Sequence, residues 1–196
     1  MKPRENSHLA INVRIVDLEE DDADRVDQLA HILLESFARF SPDWLPTLDD
    51  AIEEVIESFE PGRRSRILLN DADDVLGWIG AFEDEHAWEI HPVVVAPDRR
   101  RQGFGAMLVA DILALARDAG ASVVWAGTGD ETGATSLSAA DLYGDPLGAM
   151  AGLTAEADHP VHFWRAQGFS LVGVLPDNEG RGKPGIRFAR PLYSRP

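Results

Sequence analysis

The stretch Val93-Val94-Val95-Ala96-Pro97-Asp98-Arg99-Arg100-Arg101-Gln102-Gly103-Phe104-Gly105-Ala106 carries the reading of the whole chain. A β-branched run ends at Pro97, and a turn with three consecutive arginines opens a helix. Phe104, Leu108, Ile112, Leu115 and Ala119 recur at helical spacing, and Gly120 supplies the stop, so the helix is predicted over Gly103 to Ala119. Gly103 and Gly105 have no side chain to block the approach of an anion. The first turn of a helix offers free N–H groups and a partial positive charge. Together they make an anion cradle with Arg99, Arg100 and Arg101 at its mouth. A solvated basic turn, with glycines serving tight packing, fits the same residues. A Walker loop is excluded, because no Lys-Ser or Lys-Thr follows. A dinucleotide fold lacks its third glycine, since Leu108 stands there.

Upstream, three strand-like runs precede this loop: Arg66 to Leu69, Val75 to Phe82 and Trp88 to Val95. The acidic turns Asp71 to Asp74 and Glu83 to His86 separate them, and turns this short make antiparallel neighbours. A first strand is predicted over Ile11 to Val16. Asp21 and Asp22 then offer caps to a helix striped by Val26, Leu29, Ala30, Leu33 and Phe37. Pro42 and Pro46 break the chain. Thr47 with Asp50 reads as a capping box for a second helix, with Leu48, Ile52, Val55, Ile56 and Phe59 on one side, closed by Pro61-Gly62. Downstream, Ser122 to Ala126 reads as a buried strand and Gly127 to Asp158 as loop with short helical pieces. A short helix over His159 to Gln167 follows, then strands Leu171 to Val174 and Ile186 to Arg190. The order is mixed α and β around one sheet, in a single domain over residues 1–196.

The composition bounds what such a domain does. A hydrophobic fraction of 44% and five Trp suffice for a packed core. No run of about 18 apolar residues reads as a membrane span. Met1 to Leu9 is polar and lacks an apolar signal core, so a cytoplasmic location is expected. The absence of Cys removes disulfides, zinc–thiolate sites and a Cys nucleophile. A net charge of −16 argues against general nucleic-acid binding and is compatible with a cationic substrate, although acidic surfaces also serve solubility. Only Lys2 and Lys183 are lysines among 18 basic residues. That balance suits a high-salt cytoplasm and follows equally from biased codon usage.

The pattern Arg100-x-x-Gly103-x-Gly105, after a Val-rich strand ending at Pro97, resembles the acetyl-CoA pyrophosphate motif of GNAT N-acetyltransferases. The resemblance implies an α/β (α+β) fold with a central mixed, mostly antiparallel sheet flanked by helices and splayed at the acetyl-CoA site. Acetyl-CoA is the implied co-substrate, with no metal. Its implied holders are the backbone of Val93, Val94 and Val95 and the loop residues Arg100, Arg101, Gln102, Gly103, Phe104, Gly105 and Ala106. Pro92, which cannot donate to a ladder, fits a disturbed strand. Further segments are similar to aminoglycoside 6'-N-acetyltransferases, in order from about Gly77 to the C-terminus. They are Trp88 to Val95, Gly127-Thr128-Gly129-Asp130-Glu131, Thr135-Ser136-Leu137-Ser138, His159-Pro160 leading to Phe163, Gly168-Phe169, Val172 to Pro176, and Gly182-Lys183-Pro184. Two positions depart. Trp164 stands where many GNAT enzymes carry a Tyr that is proposed to protonate the leaving thiolate. Gly185 stands where the aminoglycoside branch tends to place an Asp.

The implied reaction is direct attack of an amine on the acetyl thioester. An ammonium has no lone pair, so a base must take its proton. Glu89 is the candidate base, and burial in an apolar strand would raise its pKa. His91, two residues on, falls on the same strand face and is a second base or amine ligand. Strand alternation puts Val93 and Val95 on that face too. Backbone N–H groups near Val94 or Val95 are expected to meet the oxyanion, at about 3 kcal/mol per donor. Tyr143 is the candidate acid in place of Trp164. Trp88, Asp130, Glu131 and Asp158 are assigned to the acceptor wall, where carboxylates would steer a polycation; a hydrated acidic loop fits these residues as well. Trp125 and Phe163 fit core positions, and His159 and His162 lack a third metal ligand. A cationic amine substrate, and a homodimer, complete what the resemblance implies. The alternatives are a GNAT enzyme for another small amine or a protein N-terminus, or a non-catalytic acyl-CoA-binding module.

Overall fold

The computed structural model describes residues 12–39, 41 and 43–193. Met1 to Leu9, Ile11 and Pro42 therefore lie outside the described residues. Chain order is β1 (Val13–Asp17), α1 (Ala23–Phe37), α2 (Leu48–Glu57), β2 (Arg63–Asn70), β3 (Val75–Phe82), β4 (Ala87–Val95), α3 (Phe104–Asp118), β5 (Val123–Gly129), α4 (Pro146–Ala151), α5 (Pro160–Ala166), β6 (Ser170–Leu175) and β7 (Gly185–Pro191). The seven strands form one sheet in the order β1-β2-β3-β4-β5-β7-β6. Every pairing is antiparallel except β4 with β5. This is the mixed, mostly antiparallel architecture expected.

Local chemistry sets the helix ends. Asp22 caps α1 by accepting from the Arg25 N–H at 3.2 Å. Thr47 and Asp50 form the capping box of α2: the Asp50 N–H donates to Thr47 Oγ1 at 3.2 Å, and the Thr47 N–H donates to Asp50 Oδ2 at 3.0 Å. Two apolar layers then flank the sheet. One packs α1 and α2 over Ile67, Leu69, Trp78 and Val94. The other packs α3 over Leu68, Ile79, Trp88, Ile90 and Phe188. Trp78 is fully buried, and its indole N–H donates to Ser65 Oγ at 2.8 Å, so the core leaves that donor satisfied.

One irregularity positions the functional face. Between Ile79↔Val93 and Ala81↔Ile90, the lone Gly80 of β3 opposes both His91 and Pro92 of β4. The extra residue reverses the alternation of β4. Trp88 and Ile90 point to the α3 layer before the bulge, and Val93 and Val95 point there after it. Glu89 and His91 consequently lie on the α1–α2 side, with Val94. This corrects the simple alternation, which puts Glu89 and His91 on the face of Val93 and Val95. Gly80 is required at the bulge, because a Cβ there would stand 2.3 Å from the His91 carbonyl oxygen. Gly80→Ala is expected to destabilise the protein by about 3 kcal/mol, read by urea or thermal unfolding. An unchanged midpoint would show that the bulge yields freely.

The chain also departs from expectation after α3. β5 continues to Gly129, so Gly127 to Gly129 are strand and not loop, paired with Gly185 to Arg187 of β7. The segment beyond holds a short 3-10 turn at Ser136–Ala139 and the helix α4.

Candidate active site

The opening in the sheet is defined by where pairing stops. β4 and β5 run in parallel register through Ala87↔Val123, Trp88↔Val124, Glu89↔Trp125 and Ile90↔Ala126, and there the ladder ends. β4 continues to Val95 against β3 alone, while β5 continues to Gly129 against β7 alone. The two strands diverge, and β4 leads directly into the arginine turn.

The turn at the end of β4 passes through two left-handed positions. Arg101 and Gly103 both adopt positive φ, +63° and +90°. Gly103 is the N-cap of α3, and the first bond of the helix runs from the Met107 N–H to the Gly103 carbonyl at 3.1 Å. The amides of Phe104, Gly105 and Ala106 thus precede the helical ladder and face the turn. A Cβ on Gly105 would lie 3.1 Å from the Phe163 ring of α5, so this glycine lets the helix end and α5 approach. Arg100 is exposed, and its Nε donates to the Val95 carbonyl at 3.3 Å. Gln102 is exposed on the same turn. An anion with an extended tail fits here: amides and arginines at the mouth, a split between strands behind it.

On the α1–α2 side, Glu89 lies at the floor of the split, one pair before the ladder ends. It is half-buried, and desolvation raises its pKa, against a smaller lowering by His91 and Arg187. His91 sits between aromatic rings, 5.2 Å from Trp44 and 5.8 Å from Phe82 by centroid. Its Nε2 stands 3.5 Å from Glu54 Oε1 of α2. Trp125, the cross-strand partner of Glu89, lies on this face with the Arg187 guanidinium 5.8 Å from its ring. Its partial burial corrects its assignment to the core. Sequence reasoning missed Trp44, Glu54 and Arg187 here, because each comes from a different part of the chain and none carries a local motif.

Several predicted acceptor residues are engaged elsewhere. Trp88 is 3% exposed and packs in the α3 layer, on the opposite face from Glu89. Asp130 is 1% exposed, and its carboxylate accepts from the Ala134 and Thr135 N–H groups and from the Thr135 and Ser138 hydroxyls. Burial pushes its pKa up, but those four donors outweigh burial and hold it below the ordinary carboxylate range. Asp158 pairs with Arg39 of the α1–α2 connection. Glu131 is half-buried, with Oε2 enclosed and unpaired. Tyr143 is 76% exposed, and its hydroxyl donates to Asp177 at 2.9 Å, a bond that raises the phenol pKa and makes it a poorer proton donor. Trp164 is buried between Phe163 and Phe169, with ring centroids 5.0 and 5.1 Å away. Among the described residues no three His, Asp or Glu side chains group at metal-binding spacing, and no helix is long and apolar enough to cross a membrane.

A sheet split between its parallel pair, with a helix N-terminus and arginines at the mouth and a raised-pKa carboxylate at the floor, is the arrangement of an acyltransferase. Residues 26–149 match the acetyltransferase (GNAT) family model, and the chain belongs to that family as an acetyl-CoA-dependent N-acetyltransferase. No curated protein matches the chain. Among solved structures, it is similar to an aminoglycoside 6'-N-acetyltransferase complexed with coenzyme A, at 30% identity and a TM-score of 0.83, over 93% of this chain and 99% of that one. It is also similar to the aminoglycoside 6'-N-acetyltransferase from Enterococcus faecium, at 30% identity, a TM-score of 0.79 and the same coverage. A third, aminoglycoside 6'-acetyltransferase type Ii, is 26% identical with a TM-score of 0.68.

Proposed function

We propose that the chain acetylates a primary amine on a small, aminoglycoside-like molecule, with Glu89 as the general base. The observation that carries this reading is the position of Glu89 at the end of the β4–β5 ladder, half-buried and with its pKa raised by desolvation. Similarity to aminoglycoside 6'-N-acetyltransferases over 93% of the chain supports the substrate class. Acetyl-CoA supplies an acyl carbon activated as a thioester. Phe104, Gly105 and Ala106 would offer their amides to its diphosphate, with Arg100, Arg101 and Gln102 around them. The backbone of Val93, Val94 and Val95 would hold its extended arm.

On the other side of the strand, Glu89 takes the proton of the arriving ammonium, directly or through water, and frees the lone pair. His91, oriented by Glu54 and flanked by Trp44 and Phe82, positions the amine. With Trp164 buried in the core and the Tyr143 hydroxyl committed to Asp177, the leaving sulfur takes its proton from solvent. Steady-state assays with acetyl-CoA and kanamycin, beside a panel of polyamines, amino sugars and peptide N-termini, test the substrate class. Turnover of the panel without turnover of kanamycin at millimolar concentration would dismiss it.

The cradle has its own test. Gly103 needs φ of +90°, which a β-branched residue adopts only with strain. Gly103→Val and Arg100→Ala are each expected to weaken acetyl-CoA binding about tenfold and amine binding much less, by calorimetry with each ligand. Equal losses for the two ligands would point to general damage and not to a diphosphate site.

A further inference from the structure

Arg187 is out of keeping with the electrostatics around it. The protein carries a net charge of −16, and most of the half-buried arginines of its N-terminal half sit against carboxylates: Arg25 with Asp22, Arg63 with Glu57 and Glu60, Arg64 with Glu83, Arg66 with Asp17 and Asp111. Arg187 is half-buried too, yet no carboxylate oxygen lies within 4.0 Å of it among the described residues. Among the described residues its one hydrogen bond is from Nη2 to Asn178 Oδ1 at 3.5 Å, at the limit of such a contact. Most of the five guanidinium donors are left without an acceptor among the described residues.

Its position is that of an acceptor-site residue. β7 pairs Arg187 with Gly127 and Ala189 with Trp125, and β4 pairs Glu89 with Trp125. Strand alternation therefore puts Glu89, Trp125 and Arg187 on one face. The side chain lies across the sheet, because a Cβ on Gly127 would stand 2.5 Å from Arg187 Nη1. Gly127 clears the space that the guanidinium fills, and Trp125 supports it from the side at 5.8 Å. The charge is near enough to Glu89 to act on its proton affinity. A fixed cation so close to the base repels a second ammonium on the ring that carries the reacting amine and attracts an oxygen acceptor there.

We propose that Arg187 is a specificity-determining residue of the acceptor site: it selects amines with a hydroxyl or carboxylate elsewhere on the sugar ring that bears the reacting amine and disfavours those with a second ammonium on that ring. This rests on the aminoglycoside-like reading above. Kanamycin A and kanamycin B form a matched pair for the test, because they differ only in a hydroxyl or an amine at carbon 2' of the sugar that bears the 6' amine. The wild-type protein is expected to favour kanamycin A in kcat/KM by about tenfold, the size of one like-charge repulsion at a half-buried site. Arg187→Gln and Arg187→Met should bring the ratio to within about twofold of unity, while Arg187→Lys keeps the preference. The ratio is the readout, since a merely structural role would lower both rates together. A wild-type ratio near unity, or one that the neutral variants leave unchanged, overturns the proposal alone. Turnover of neither compound, with other amines acetylated, overturns the substrate class and this proposal with it.

Discussion

Glu89→Gln is expected to lower kcat by at least about 100-fold and to leave the protein as stable as the wild type, or more so. The rate loss is the usual contribution of a positioned general base. The stability result follows from the sign of the pKa shift. Desolvation raises the folded-state pKa of Glu89 above its unfolded value. The folded state then holds its proton more tightly than the unfolded state does. Stability falls as pH rises from the ordinary carboxylate range through the raised pKa, and the deficit persists at neutral pH. Gln removes the charge and the deficit together. The pH profile adds a second readout. The wild type is expected to show a bell in kcat/KM for the amine, with an acid limb from Glu89 and a basic limb from the ammonium it receives, whereas the variant, which must take the amine already neutral, rises with pH toward the amine pKa. Unchanged turnover in Glu89→Gln would remove Glu89 from the chemistry, and a lowered melting temperature would make it a structural residue.

What the sequence makes legible is whatever local chemistry encodes. The Thr47–Asp50 box, the Asp22 cap and the glycines of the cradle each act within one helical turn, so residue types at fixed spacing suffice to find them. The face of Glu89 is legible only halfway. Alternation joins it correctly to His91, but the bulge opposite Gly80 reverses the strand before Val93. Pro92 signals a disturbed strand without saying on which side of it the period changes. The acceptor face is the least legible part. Trp44, Glu54, Trp125 and Arg187 come from a connection, a helix and two strands, and only the folded sheet brings them together. The sequence also misplaces carboxylates for a physical reason: a run of acidic residues in a Gly-rich segment reads as solvated whether its side chains point out or serve as internal acceptors.

Asp130 is the case in which that difference has the largest energetic consequence. Asp130→Ala is expected to destabilise the protein by about 4 kcal/mol, because it strands two buried backbone N–H groups and two hydroxyls that now share one carboxylate. In a domain of this size the melting temperature should fall by about 10 °C. Asp130→Asn keeps the volume and some of the bonds, so its cost should be about half as large. The pH dependence has the opposite sign from that of Glu89. The folded-state pKa of Asp130 is lowered, because its four hydrogen bonds outweigh burial. Its stabilisation is therefore complete above the unfolded carboxylate pKa and is lost as pH falls below that value toward the folded one. Acid unfolding of the wild type should steepen there, and the Asn variant should lack that component. Were Asp130 an outward-facing ammonium ligand, Asp130→Ala would weaken amine binding with little change in melting temperature. A thermal melt and an amine titration on the same variant separate the two roles.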